Sequence, residues 1–304
     1  MNLPKGYGGV ILAVVMWGLS FQVGASLAGH ISPWELTVWR YTLAAGIMTI
    51  VAYARLGKEA RIPRGNLPQV ALMGLFGHTL FSLCFFYGLQ STPSSTAAVI
   101  TGLEPAIAAG LAPLFIGRKA SGRTWLGIGI ALAGVTMASM AGQQEQPPAV
   151  SWAGPLLVFA SAMCFAIYSL MGEAMMRQIS PLAMSAATMR WSLPPLWLGT
   201  ICNEGSSKLG LLSASDMAGL AFFVLGVTVI AFLGWNSSLK ALGMERTVVW
   251  ANGVPVVGVL AASLLGHGAQ PAQWWGLVLV IAGVVMVQRR NQAVHLPTLI
   301  DKPL

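Results

Sequence analysis

Ser32-Pro33-Trp34-Glu35-Leu36-Thr37-Val38-Trp39-Arg40 and Ser180-Pro181-Leu182-Ala183-Met184-Ser185-Ala186-Ala187-Thr188-Met189-Arg190 open two apolar stretches in the same way. Each starts Ser-Pro and carries an arginine inside the stretch, so Arg40 of the first is matched with Arg190 of the second. Outward from this pair the match continues at an offset of 148 to 150 residues. Leu89 corresponds to Leu239, Glu104-Pro105 to Val254-Pro255, and Gly117 to Gly266. Trp125-Leu126-Gly127 corresponds to Trp274-Trp275-Gly276, and Ala133-Gly134-Val135 to Ala282-Gly283-Val284. One such match in a chain rich in glycine and alanine carries little weight. The ordered series at nearly one offset marks a duplication.

The 304 residues are 56% hydrophobic and only 9% charged, with a mean hydropathy of +0.71. A soluble domain carries roughly 25% charged residues, so the exterior of this chain suits lipid rather than water. Apolar stretches lie near residues 7–29, 33–54, 68–89, 95–116, 124–141, 152–173, 181–201, 217–238, 247–266 and 273–288. Each approaches the about 20 residues that cross a bilayer as a helix. The first is longer than the apolar core of a cleavable signal and contains Trp17, Ser20 and Gln22, so it reads as a span.

Fourteen of the seventeen Lys and Arg residues fall on one side of this arrangement, Lys208 alone falls on the other, and Arg40 and Arg190 lie inside spans. The positive-inside rule then places both termini in the cytoplasm. Five spans per copy is an odd number, so the copies cross in opposite directions. The expected fold is an all-α integral membrane protein of ten transmembrane helices in an inverted five-plus-five repeat. The copies are expected in residues 1–146 and 147–304. The net charge of +8 is a topology signal, not a nucleic-acid surface. Cys84, Cys164 and Cys202 are odd in number and imply no disulfide framework.

The residues Trp17-Gly18-Leu19-Ser20-Phe21 in span one and Phe165-Ala166-Ile167-Tyr168-Ser169 in span six carry a resemblance. Arg40-Tyr41, Glu104-Pro105-Ala106 and the glycine-rich fifth and tenth spans extend it. In this order the chain resembles the drug/metabolite transporter superfamily in its ten-helix EamA-type form, and within it the aromatic amino-acid exporter (YddG-like) branch. The resemblance covers almost the whole chain. It implies a basket of spans one to four and six to nine around a central cavity, with spans five and ten as lateral braces. It also implies export of amino acids and related metabolites across a bacterial inner membrane. The chain departs from internal symmetry at Val254, where the first copy has Glu104.

Polar residues within spans are costly and face the protein interior or a wet cavity. Gly74, His78, Phe81, Ser82 and Phe85 recur at spacings of three and four and so share a helix face. Thr228, Phe232 and Trp235 form the equivalent face of span eight. With Trp17, Ser20, Phe21, Thr101, Phe165, Tyr168, Trp250 and Asn252 they make an amphipathic set, suited to a flat apolar side chain with a zwitterionic head. The same stripes also serve ordinary helix packing. Arg40 and Arg190 either meet a substrate carboxylate or a gate, or are structural charges bonded to helix-end carbonyls or snorkelling. Glu104 either couples to protons, binds a substrate ammonium, or bonds backbone groups freed by Pro105. His78 is a candidate proton carrier. Pro105 and Pro255 weaken their helices at equivalent depths. Gly127, Gly129 and Gly134, with Gly276 and Gly283, give spans five and ten close-packing faces.

No nucleophile elbow, metalloprotease motif, nucleotide loop or metal-spaced Cys/His set occurs in the sequence. No cofactor and no enzymatic activity are expected, and transport would run on gradients. The expected partners are a small-molecule substrate and the lipid bilayer, with the chain acting as a monomer. Efflux of drug-like cations is an alternative that would use Glu104. A non-transporting polytopic membrane protein is another.

Overall fold

In the computed structural model, described over residues 6–116, 121–143, 152–176, 178–202, 210, 212–242, 247, 249–265 and 270–293, every regular element is a helix and no strand occurs. The first five are α1 (Tyr7–Leu27), α2 (Pro33–Leu56), α3 (67–89), α4 (94–116) and α5 (Gly122–Gln143). The second five are α6 (Ala153–Met175), α7 (181–202), α8 (Ala214–Leu242), α9 (Trp250–Leu264) and α10 (Pro271–Ala293). Among the described residues, seven helices are long and apolar enough to cross a membrane. The apolar parts of α9 and α10 are shorter, and α7 is divided into Pro181–Trp191 and Leu193–Cys202. The chain is a multi-pass helical membrane protein.

The paired Ser-Pro sequences begin α2 and α7 with the same local geometry. Ser32 (φ −64°, ψ 142°) accepts the Glu35 N–H, and Ser180 (φ −63°, ψ 142°) accepts the Ala183 N–H. The proline that follows each has no N–H to leave unsatisfied. Ser32→Ala and Ser180→Ala should each cost about 1 kcal/mol, read as a lower melting temperature in detergent with flux retained.

These caps fix the register between the copies and correct one expectation. Counted from them, the counterpart of Arg40 is Thr188, not Arg190. A helix turns about 100° per residue, so the two intervening positions put Arg190 on another face. Arg40 is buried, whereas Arg190 is half-buried and stands 6.0 Å from the Tyr53 ring.

The inversion is visible where α5 crosses α10. A Cβ on Gly127 would stand 2.7 Å from the Gly283 carbonyl oxygen, and one on Gly134 2.6 Å from that of Gly276. The residue number rises on one helix as it falls on the other, so the helices are antiparallel. Gly127 corresponds to Gly276 and Gly134 to Gly283, so a twofold rotation exchanges the two close approaches. In lipid, helices associate through such tight packing and polar contacts, because the hydrophobic effect no longer favours contact. Gly129 does not belong to this face: it is exposed, and no atom lies within 4 Å of the Cβ it would bear.

The remaining contacts obey the same rotation. Helix α1 packs on α8 and α9, α6 packs on α3 and α4, and α2 packs on α7. Two local distortions recur as well. Helix α3 widens into a π-helical turn at Leu75–Leu80, and α8 does so at Phe222–Ile230. Helix α4 tightens at Gly102-Leu103, where Leu103 N–H bonds the Ile100 carbonyl at 3.0 Å, before Glu104-Pro105 starts its second part. Helix α9 begins with a 3-10 turn at Trp250–Asn252 before Gly253-Val254-Pro255. Proline fits an early helical position, so in both copies it starts a new segment.

One feature breaks the symmetry. The end of α1 is tied to the start of α8 by His30 Nδ1 and Asp216 Oδ1, 2.7 Å apart, with the His30 side chain 61% exposed. The register-equivalent positions, Gln178 and Asn66, carry neutral amides. Cys84 and Cys164 are free and half-buried, and the Cys202 side chain lies outside what is described. Lys5, Gly117, Arg118, Lys119, Arg177, Lys208, Arg246, Gly266 and Lys302 also lie outside the described residues.

Candidate functional site

The two π turns, at Leu75–Leu80 and Phe222–Ile230, are counterparts in the two copies. A π turn inserts one residue into a helix and re-aims the side chains around it. In α3 it carries His78, which is fully buried. His78 Nε2 lies 3.0 Å from Thr188 Oγ1 on α7, and His78 Nδ1 is enclosed without a hydrogen-bond partner. In α8 the turn carries Thr228, whose hydroxyl donates to the Phe223 carbonyl at 2.8 Å, five residues back. Thr228 Oγ1 also accepts from Arg40 Nε at 2.8 Å. His78–Thr188 and Thr228–Arg40 are therefore twofold mates with different chemistry in each copy.

Arg40 is 4% exposed. Its guanidinium carbon stands 5.0, 5.2 and 5.9 Å from the ring centres of Tyr41, Phe223 and Phe86. Among the described residues the only ion pair is His30–Asp216, so Arg40 has no carboxylate there. Rings facing a cation contribute up to about 2 kcal/mol when desolvated without cancelling its charge.

A continuous set of rings surrounds these polar groups, with neighbouring centres 5.0 to 6.0 Å apart. Trp17 meets Phe232 and Trp235, and Phe232 meets His78. His78 meets Tyr41 and Tyr168, and Tyr168 meets Phe165. Phe165 meets Phe81, Phe81 stacks on Phe85, and Phe85 meets Phe21. Helices α1, α2 and α3 of the first copy and α6 and α8 of the second all contribute. The Trp17 indole N–H donates to the Val227 carbonyl of the second π turn at 3.0 Å, joining the copies.

Other residues singled out in the sequence have different places. Ser82 is buried and hydrogen-bonded to the Tyr41 hydroxyl at 3.1 Å. The Ser20 hydroxyl turns back to the Trp17 carbonyl, and that of Thr101 to the Ala98 carbonyl. Glu104 and Pro105 are half-buried at the start of the second part of α4. Pro255 is buried, and Asn252 is half-buried in the 3-10 turn. Trp250 does not join the ring set: it is 38% exposed and packs edge-on against Tyr7, where α1 begins. Sequence reading missed Thr188, Tyr41 and Phe223 as partners of the central groups. The Ser-Pro register held the signal for Thr188. No cluster of His, Cys, Asp or Glu able to hold a metal occurs among the described residues.

The description EamA-like transporter family matches this chain twice, over residues 4–140 and 152–289. The chain is 28% identical to the uncharacterized transporter YyaM of Bacillus subtilis, over 89% of each chain. It is 25% identical to a probable terminal-alkyne amino-acid exporter of Streptantibioticus cattleyicolor, over 96% of each chain. It is also 25% identical to the uncharacterized inner membrane transporter YedA of Escherichia coli, over 92% of this chain and 90% of that one. A crystal structure that shares 19% identity superposes with a TM-score of 0.67, over 95% of this chain and 98% of that one, and shares its fold. Two consecutive family matches, an inverted pair of five-helix copies and a polar, ring-lined centre at their seam agree: the chain belongs to the EamA-like transporter family.

Proposed function

We propose that this protein exports amino acids with aromatic or large neutral side chains across a bacterial inner membrane, by alternating access and without catalysis. The observation that carries the reading is the ring set supplied by both copies around Arg40, Thr228 and His78. Such a wall suits a flat apolar side chain, and its few polar groups suit an amino-acid head. Alternating access follows when one copy rocks against its inverted mate around a central site. The name of the Streptantibioticus relative, an amino-acid exporter, points the same way. So does the resemblance to the aromatic amino-acid exporter branch. The one-sided basic residues support cytoplasmic termini. Residues 1–146 and 147–304 are the two moving units, and one chain is sufficient.

Purified protein in liposomes loaded with phenylalanine should drive counterflow of labelled phenylalanine. Trp17→Ala should slow it about ten-fold, equivalent to about 1.4 kcal/mol, at unchanged yield of folded protein. Inhibition by lipophilic cations but not by amino acids would favour cation efflux. Normal flux in the variant would move the site elsewhere.

A further inference from the structure

We infer that Arg40 and His78 together select a zwitterion, with Arg40 receiving the carboxylate and His78 Nδ1 receiving the ammonium of one α-amino acid. The inference rests on the reading of the ring-lined centre as the transport site. It starts from what the two side chains lack. Arginine carries five N–H donors. Among the described residues only the Thr228 hydroxyl accepts from Arg40. A structural arginine within a span is satisfied by carboxylates or backbone carbonyls, and among the described residues this one has neither. The guanidinium fork matches a carboxylate in a paired, charge-assisted geometry.

The tautomer of His78 follows from the hydrogen bonds around it. A hydroxyl has one proton to give. We assign the His78 proton to Nε2, with Thr188 accepting it at 3.0 Å while its own hydroxyl donates to the Ser185 carbonyl at 3.2 Å. Nδ1 is then a bare acceptor, fully enclosed and unpartnered. An unpaired buried acceptor is costly, and an ammonium N–H supplies what it lacks. The twofold mate works in the same sense: Thr228 gives its proton to the Phe223 carbonyl and accepts from Arg40.

Tyr41 places the two groups together. Its ring centre is 5.0 Å from the Arg40 guanidinium carbon and 5.0 Å from the His78 ring centre. A donor cluster and an acceptor thus adjoin the same ring. The difference between the copies, Arg40 in one and Thr188 in the other, gives a single carboxylate position in place of two equivalent ones.

The test is competition against phenylalanine counterflow in liposomes by phenylalanine, phenylalaninamide (no carboxylate) and N-acetylphenylalanine (no ammonium). Both derivatives should compete at least about ten-fold more weakly than phenylalanine, the scale of a lost charged hydrogen bond. In Arg40→Gln, phenylalanine and phenylalaninamide should compete to within about three-fold of each other. In His78→Phe, the same should hold for phenylalanine and N-acetylphenylalanine. Equal competition by the derivatives in the unaltered protein overturns the assignment, even if neither variant folds. Retained discrimination in the folded variants overturns it too, because a merely structural role would weaken all three compounds alike. Absence of phenylalanine flux in the unaltered protein would instead overturn the amino-acid reading itself.

Discussion

Valine at Gly283 should abolish accumulation of folded protein. The added Cβ would meet the Gly127 carbonyl oxygen, the backbone nitrogen of Ala131 at 2.8 Å and the Ala131 methyl at 3.0 Å. Two of these atoms belong to the backbone of α5 and cannot rotate aside, so the helices must separate along their whole crossing. Overpacking at a tolerant site costs about 1–3 kcal/mol. A rigid backbone contact lies above that range, and total stability is only about 5–15 kcal/mol. Gly134→Val should do the same, because the twofold rotation exchanges the two contacts. Gly129→Val, on α5 but facing outward, should be silent. Size-exclusion profiles and melting temperatures in detergent separate these outcomes. A stable Gly283→Val protein would mean that α5 and α10 do not cross where their glycines meet.

The second large effect is expected at His78. Phenylalanine there preserves a ring among Tyr41, Tyr168 and Phe232 but removes both nitrogens. Folded yield should stay near normal, while the initial rate of phenylalanine counterflow should fall by about ten-fold or more, as for a lost hydrogen bond to a charged group. Thr188→Val removes the hydroxyl hydrogen-bonded to His78 Nε2 at 3.0 Å, so a smaller loss of rate is expected there. Equal rates in His78→Phe and the unaltered protein would make the imidazole a packing element alone.

The helices, their duplication and their opposition were legible because each rests on a signal repeated many times: apolar length, the Ser-Pro openings and the one-sided basic residues. Register was less legible. The offset is 148 residues at the caps of α2 and α7, 150 at His78 and Thr228, and 149 at the glycines of α5 and α10. Matching arginine with arginine therefore chose the wrong face, and Thr188 was overlooked. Gly129 failed for the same reason, two positions along from Gly127. The π turns leave no composition mark, since one inserted residue only shifts the phase of an apolar pattern. Trp250 was grouped with the central rings by residue type, whereas its place beside Tyr7 depends on where the 3-10 turn begins.

The link between His30 and Asp216 bears on which way the molecule rests. With identical halves, the two facing conformations would be energetically degenerate. The His30–Asp216 contact, whose register equivalents are the neutral amides Gln178 and Asn66, lifts that degeneracy in favour of the shape that keeps it closed. Solvent-exposed ties of this kind are weak, so the tilt in the resting balance is small. A bias of that size still leaves both orientations within reach of thermal motion.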